Sequence, residues 1–588
     1  MCIRDSSNPG NGTCETSTPG ECTLRAAIEE ANALTGSDTI NFNIPTGDSG
    51  YSASPLSWTI VPASAYDDIV QTVSIDATTQ PGFAGDPVIQ LVGSDPGAAS
   101  ATAALTLEAN NSLIEGFVIH SWLDEGLEID ASTGAGDNNT LRNNWVGFDA
   151  GENVRTIGDV GILLTVGAGG NTVEGNVVGG ATNSGIHIRN AGSDDNVVVG
   201  NLIGVGPDGA TPAGNGTEGI TIDDAASGNV IGGTTAAAAN VIANNGSDGI
   251  DLKATTGSGN AILRNSIYAN GGTGIDLAPN GVTGNDVGDG DSGPNDLLNY
   301  PVITSAVDTG GTVTVTFDLD VPANPDQYRV EFFTNPSGAD PSGYGEAETF
   351  ESASTTPPGT GLTHAFTASA GDVITATATR IDSGAASGFS STSELSAAFT
   401  VVVGADTVVV NSTGDAADLT PGDDVCDTGG TVGTDDECTF RAAIQEANAS
   451  GVIDTITFDI PVADSGHVAG LWTIAPSTAL PPVASTVTLD ARTQTGWTVD
   501  PVVALDGAST TAATGLTLSG TAAGSVVAGL RIIDFDLDGI FIASGADGIT
   551  ITDNWIGSDG SGSDLVGTGD DGIDLLGTNA LIDGNVVN

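Results

Sequence analysis

The residues best placed to do chemistry are carboxylates in a recurring Gly-Ile-Asp-Leu context. Asp251 and Asp276 occupy the same place in residues 249–252 and 274–277, and Asp248 precedes the first of these. On stacked strands such carboxylates stand near the inter-strand spacing of ~4.8 Å. A retaining glycosidase needs its two carboxyls about 5 Å apart, and an inverting one needs them further apart. Asp223 and Asp224 lie nearby in sequence. A lyase instead requires a basic residue beside bound Ca²⁺, and the cations of this region (Arg142, Arg155, Arg189, Lys253 and Arg264) form no cluster in sequence. Gly-Ile-Asp-Leu returns at residues 572–575. A motif that recurs with the fold reads as the fold's own periodicity before it reads as a catalytic centre. His187 falls in the same outward column with no Ser or Cys nucleophile beside it, and reads as a surface residue.

A second set of oxygen donors lies in residues 285–296, where Asp286, Asp289, Asp291, Asn295 and Asp296 share one glycine-rich stretch. Oxygen ligands at close spacing with glycines for tight turns suit Ca²⁺. The spacing is not that of an EF-hand and no glutamate closes it, so a solvated acidic linker is the competing reading.

Five cysteines are present. Cys14 and Cys22 form one close pair, Cys426 and Cys438 another, at equivalent places in two repeated segments. Two local disulfides in an oxidising compartment are the economical reading, and Cys2 is left over. With four histidines in the chain and none near either pair, a metal site there is disfavoured. Each pair leads into a helical pattern. Thr23 and Thr439 suit its N-cap, and Leu24, Ala27, Ile28 and Ala31 fall on one face. A helix here covers the open strand edges at the start of a parallel coil. Arg25 and Arg441 read as structural ion-pair partners under that cap.

The charge balance bounds the partners. Asp and Glu total 75 against 12 Lys and Arg, a net charge of −63, and Lys253 is the single lysine. This disfavours nucleic acid and anionic membranes, whose phosphates need cationic partners, and disfavours polyanionic sugars unless divalent cations bridge them. Solubility in salty water and abundant Ca²⁺ sites both account for such a surface. No apolar run reaches the roughly 18–20 residues of a membrane span. Residues 1–12 have no apolar core and read as a non-native leader, and the last residues stop in mid-pattern, so the chain reads as truncated at both ends.

The order of elements follows from repetition. Residues 21–32 (ECTLRAAIEEAN) match 437–448 (ECTFRAAIQEAN), and DTINFNIP at 38–45 matches DTITFDIP at 454–461. Matching segments in the same order mean duplication. Downstream, Gly-apolar-x-apolar segments recur at roughly 25–35 residues, alternating with Asn-x-apolar segments, as expected for coils of three short strands. Asparagines at the corners suit left-handed backbone and side-chain ladders. The cap segments resemble the CSLREA-type motif that precedes β-helix stalks in large bacterial extracellular proteins, with Ala26 and Ala442 where that motif has glutamate. The coils are similar to the pectin-lyase-like β-helix, and Asp-Gly-Ile-Asp at 248–251 is faintly similar to the polygalacturonase fingerprint. Between the repeats, residues 297–403 read as strands of an Ig- or fibronectin-III-like sandwich. Its resemblance to the sandwich found beside such β-helices implies a spacer, and Tyr344 alone is thin support for a sugar platform.

The expected architecture is all-β. Residues 13–284 and 404–588 form two right-handed parallel β-helix modules, each with a capping helix. An acidic linker (285–296) and the sandwich separate them. The expected function is a secreted or cell-surface structural, adhesin-like segment whose partners are surface glycans or proteins. The alternatives are a polysaccharide lyase or glycoside hydrolase using Asp248, Asp251 and Asp276, and a Ca²⁺-dependent glycan-binding module.

Overall fold

The computed structural model describes residues 5–93, 102–309, 311–324, 327–404, 407–422, 425–450, 454–558 and 568–588; Cys2 lies outside them. The chain divides into two compact units, Met1–Ala306 with Thr312–Val401, and Val307–Gly311 with Val402–Asn588.

In the first unit, Gly-apolar-x-apolar segments become short strands because alternate residues meet opposite sides of the backbone. In Ile250–Leu252 the two apolar residues are fully buried. Among the described residues these strands form three sheets of eight, nine and seven strands, parallel except for the antiparallel pair Tyr51–Ala53 and Leu56–Ile60. From Val73–Asp76 onward, neighbours within a sheet are separated in sequence by one strand from each of the other two sheets, so every turn adds one strand to all three. This is a parallel β-helix. Its interior is a continuous column of Ile, Val and Leu running from Ile28 to Leu277. The glycine opening each strand of the third sheet is fixed by close approach: a Cβ on Gly161 would lie 2.4 Å from Val178 and 2.6 Å from the carbonyl oxygen of Gly185.

Rows of asparagines bind coil to coil, two of them long and buried and a shorter one through Asn215, Asn245 and Asn270. In one, the amides of Asn139, Asn171, Asn196, Asn229 and Asn260 each donate to the side-chain oxygen of the next member, at 2.7–3.1 Å. The second runs through Asn144, Asn176, Asn201, Asn240 and Asn265 in the same way. The expected ladders are present, but Asn171, Asn196 and Asn229 are not themselves left-handed. The residue before each takes that conformation: Gly170 (φ 65°), Asp195 (φ 57°) and Gly228 (φ 67°). The turn and the ladder are therefore divided between adjacent positions.

Two further sheets, built mainly of antiparallel pairs, follow, and most of their residues belong to the same unit. One contains Val302–Asp308, Thr312–Leu319 and Gly359–Thr367; the other contains Tyr328–Thr334, Thr349–Thr356, Val373–Ile381 and Phe389–Thr392. They share a core that includes Val313, Phe317, Tyr328, Phe332 and Ile374. Val302–Asp308 and Phe389–Thr392 are strands that the alternation did not reveal.

These sheets close the last coil. The amide of Ile262 donates to Thr392 Oγ1 (2.8 Å) and that of Arg264 to Glu331 Oε2 (2.7 Å). Ile267 and Ala347 exchange two backbone hydrogen bonds of 2.9 Å, and the amide of Leu277 donates to Glu394 Oε1 (2.9 Å). One edge of each parallel sheet is thus capped by the antiparallel part. Within residues 285–296 the ends are tied into this closure, Asn285 donating to the Tyr300 carbonyl (2.8 Å) and Asn295 being fully buried, while the middle is solvated, with Val287 95% exposed.

At the other end, helix Leu24–Ala33 buries Leu24, Arg25, Ala26, Ile28, Glu30 and Ala31. Ala26, not the expected Ala27, lies on the inner face. Thr23 Oγ1 accepts the Ala26 amide (3.1 Å), and Thr439 does the same for Ala442 (3.1 Å). Disulfides join Cys14 to Cys22 and Cys426 to Cys438, each with Cα atoms 5.2 Å apart. Arg25 is mainly a loop clamp: it donates to the carbonyls of Ala65 (2.7 Å) and Ser64 (2.6 Å), with Asp5 at 3.7 Å. Arg441 holds the carbonyls of Ala479 and Thr478 and pairs with Asp415 at 2.9 Å. The described part of residues 1–12 is wired into this cap. Ser6 N–H donates to Glu29 (2.5 Å) and Gly10 N–H to Glu30 (2.8 Å), as Gly422 N–H does to Glu446 (2.7 Å).

The second unit holds three sheets of six, six and three strands among its described residues, with helix Phe440–Ser450; they are parallel except for the antiparallel pair His467–Val468 and Leu471–Ile474. Asn554 and Asn585 continue the ladder chemistry, the Asn554 amide donating to Asn585 Oδ1 at 2.9 Å.

Asn176→Ala strands the buried Asn144 amide and removes the bond to the Leu141 carbonyl. It is expected to cost about 3 kcal/mol in urea unfolding followed by circular dichroism. Asn183→Ala, on an exposed corner, is expected to stay within about 0.5 kcal/mol. Equal effects at the two sites would refute the ladder as a source of stability.

Candidate functional site

The outward face of the third sheet of the first unit gathers charge. Strand register aligns Glu128, Leu163, His187, Thr221, Asp251 and Asp276 on successive coils. Alternation sends Ile250 and Leu252 into the core and Asp251 to the other side. Two residues on, Lys253 Nζ reaches Glu218 Oε1 at 2.8 Å and also donates to Asp251 Oδ2. Glu218 and Asp248 each precede a strand-opening glycine and so share one corner of the coil. Carboxylate oxygens of Glu218, Asp248 and Asp251 lie within 4.8 Å of one another. Asp248 Oδ1 accepts the amide (2.7 Å) and hydroxyl (3.2 Å) of Thr273.

The environments separate these groups. Burial would raise Glu218, but the Lys253 ammonium and the Thr217 hydroxyl overcome it and hold the carboxyl at about 2. Burial raises Asp251 despite Lys253. Lys253 is held protonated, since its bonds to Asp251 and Glu218 outweigh its own burial. Asp276 is 1% exposed. Its Oδ2 accepts the Gly281 amide (3.0 Å) while Oδ1 has no partner, and burial pushes it up to about 6.

The structure therefore brings Asp248 and Asp251 together with Glu218, and stacks Asp276 on Asp251 one coil further on. Asp251 is committed to Lys253, Asp248 to Thr273, and Asp276 lies beneath the turn that contains Gly281. A glycosidic acid and base must both reach the scissile bond, and Asp276 has no surface from which to do so. Sequence reasoning missed Glu218 and Lys253 as members of this group. The signal was the position before the strand-opening glycine, which stacks Glu218 on Asp248. His187 is also not a free surface group: its Nε2 lies 3.2 Å from Asp223 Oδ1, with 13% of the side chain exposed. A second acidic corner holds Asp124, Glu125 and Asp159, where burial raises Glu125 to about 7.

The proposed five-residue Ca²⁺ set divides. Asp286, Asp289 and Asp291 bring carboxylate oxygens within 4.8 Å of one another. Burial lifts Asp289 to about 6, and the neighbouring Asp291 and Asp286 add to the rise. This oxygen-only trio fits a hard divalent cation. Asn295 does not belong to it: its Oδ1 takes the Asn260 amide, and its Nδ2 donates to the carbonyls of Asn260 (2.7 Å) and Thr392 (3.0 Å). Asp296 instead accepts the hydroxyls of Ser258 (2.7 Å) and Ser391 (3.2 Å).

No protein-family model matches the chain, and no curated protein matches it. Among solved structures the chain is similar to the enzymatically active domain of tailspike protein 2 of bacteriophage CBA120. The identity is 13% and the TM-score 0.22, over 64% of this chain and 73% of that one. It is also similar to the A-module of the mannuronan C-5 epimerase AlgE6 of Azotobacter vinelandii, at 12% identity and a TM-score of 0.16, over 96% of this chain and 93% of that one. Likenesses this distant carry no argument about what this chain does.

Asp276 titrates at about 6 in the fold and near ~3.9 in an unfolded chain. Its proton therefore favours the fold below pH ~4, and that contribution is lost as pH rises through about 6. Asp276→Asn can keep the Gly281 bond without the charge. Its stability relative to the native chain is expected to rise by of order 1 kcal/mol between pH 4 and 7, read by calorimetry at several pH values. A difference that stays constant over this range would refute the buried-acid assignment.

Proposed function

We propose that the chain is a non-enzymatic, adhesin-like structural segment of a secreted or cell-surface protein related to the CSLREA-type family. In this reading two right-handed β-helix modules of one duplicated design flank an Ig-like sandwich, and the sheet faces offer surface to glycans or proteins. The observation that carries it is the bonding of the candidate catalytic carboxylates within the fold: Asp251 and Glu218 to Lys253, Asp248 to Thr273, and the buried Asp276 to the Gly281 amide. The two disulfides support an oxidising compartment. No helix among the described residues is long and apolar enough to cross a membrane.

The test is release of reducing sugars and of unsaturated products from a panel of acidic and neutral polysaccharides, with Ca²⁺ and with a chelator. No release is expected. Release that vanishes in Asp251→Asn would overturn this reading in favour of a glycan-active enzyme.

The same reading assigns Ca²⁺ to Asp286, Asp289 and Asp291, where like charges crowd a partly buried loop. Ca²⁺ at 100 times its Kd is expected to stabilise the fold by about 2.7 kcal/mol, and Asp289→Asn is expected to abolish the effect. A melting temperature indifferent to Ca²⁺ and to chelator would remove the ion from this account.

A further inference from the structure

The antiparallel sheets close the three edges of the last coil with unequal charge balances. At strand Ala261–Leu263 the acceptors are the Thr392 hydroxyl and the Glu331 carboxylate. Burial pushes the Glu331 carboxyl up, but the guanidinium groups of Arg329, 2.8 Å away, and Arg264 face it and oppose the rise.

The other two edges lack such cations. At Ser266–Tyr268, Ile267 pairs with Ala347, whose neighbour Glu346 is 8% exposed. Glu346 Oε2 has no partner. Its backbone is held at φ 81°, a left-handed conformation that strains a residue other than glycine. The charges facing Glu346 are those of Asp340 and Glu348. At Ile275–Leu277, Glu394 accepts the amides of Leu277 and Thr283, both at 2.9 Å, and is 3% exposed. The charge facing it is that of Asp276, whose Oδ1 is buried without a partner. Asp276 in turn faces Asp248, Asp251 and Lys253, and Lys253 is already bonded to Asp251 and Glu218. The packing is tight: a Cβ on Gly274 would lie 2.7 Å from Leu395. The space between Gly274, Gly345 and Glu394 is about 10 Å³, room for one water at most.

We propose that this seam is a proton-operated joint. It is closed while Asp276, Glu346 and Glu394 are protonated. It opens along the Ile267 and Leu277 edges when they ionise, with the Glu331 edge as the hinge. Ionised carboxyls buried without cations are costly, and opening is their route to water. Burial pushes Asp276 up to about 6, and Glu346 and Glu394 up to about 7. Their values in an unfolded chain are ~3.9 for Asp and ~4.3 for Glu. The protons therefore favour closure fully below pH ~4, and that contribution is lost as pH rises through the folded values. Once ionised, Asp276 and Glu394 repel each other, and Asp340 and Glu348 repel Glu346. Burial keeps the Tyr300 phenol, which also faces Glu394, neutral throughout. Opening also relieves the strained backbone at Glu346.

The experiment is hydrogen–deuterium exchange of the full chain at pH 5 and pH 8.5, read by mass spectrometry and corrected for the intrinsic pH dependence of exchange. Amides of residues 265–283 and 344–348 are expected to lose protection at least tenfold at pH 8.5. Those of 196–203, inside the stack, and 328–333, on the hinge side, are expected to keep theirs. The double variant Asp276→Asn with Glu346→Gln, which places an amide nitrogen at each partnerless oxygen, should stay protected at both pH values. Equal protection of 265–283 at the two pH values overturns the proposal. So does a loss shared by 196–203, which is global unfolding, or a loss unchanged in the folded double variant. If the double variant does not fold, the comparison of segments in the native chain alone decides.

Discussion

A strand in a parallel coil hydrogen-bonds to the coil before it and to the coil after it, so each coil is complete only when both neighbours are present. The rest of the first unit depends on this constraint. Inside the stack it is met by repetition. At the corners, where the chain turns and cannot pair strand to strand, it is met by the asparagine rows. A side-chain oxygen of one coil accepts a backbone amide of the preceding one, and buried amides that would otherwise cost 1–3 kcal/mol each are satisfied. At the ends repetition stops and other elements must substitute. The capping helix covers one end. At the other, the antiparallel sheets offer a different acceptor to each edge: the Thr392 hydroxyl with the Glu331 carboxylate, the Ala347 backbone, and the Glu394 carboxylate.

Residues that serve this closure resemble functional residues when read in sequence. Asn295 looked like a calcium ligand because it sits among aspartates. It is the last member of an asparagine row and takes the Asn260 amide that no further coil is there to accept. Glu331 is fully buried and is matched by Arg329 at 2.8 Å and by the Arg264 amide. Burial of such an acid without partners would be costly, which explains why charged residues of the antiparallel sheets stand where the coil ends.

Most of the coil was legible because its determinants are local. Gly-Ile-Asp-Leu states a turn, an inward residue, an outward residue and an inward residue within four positions. The disulfide pairs and the capping helices were legible for the same reason. What could not be read depends on neighbours across coils. Lys253 and Glu218 are 35 residues apart, and the length of the intervening loop decides whether they meet. Strand Val302–Asp308 was missed because only part of its alternation is apolar: Val302 is exposed while Ile303 and Ala306 are buried. The left-handed corner position falls to an asparagine at Asn138, Asn143 and Asn244 but to Gly170, Asp195 and Gly228 elsewhere, because Gly-Asn and Asp-Asn pairs leave open which of the two residues turns the chain.

The same dependence decides what an outward aspartate means. Asp251 stacks on Asp276 and Thr221, with Lys253 and Glu218 beside it, and becomes one of two carboxylates that share a single cation. Asp276 has the same local sequence but lies in the last coil, beneath the closing turn, and keeps its proton to a higher pH. Asp574, in the third copy of the motif, stacks on Phe541, with no carboxylate opposite it on that strand. Three identical tetrapeptides thus have three electrostatic settings, fixed by what the adjacent coil presents. A glycan-processing centre would need a setting in which two carboxyls stay both unpaired and open to solvent. Stacking works against this here, because the register that brings the aspartates within reach also buries them or supplies the cation that holds them.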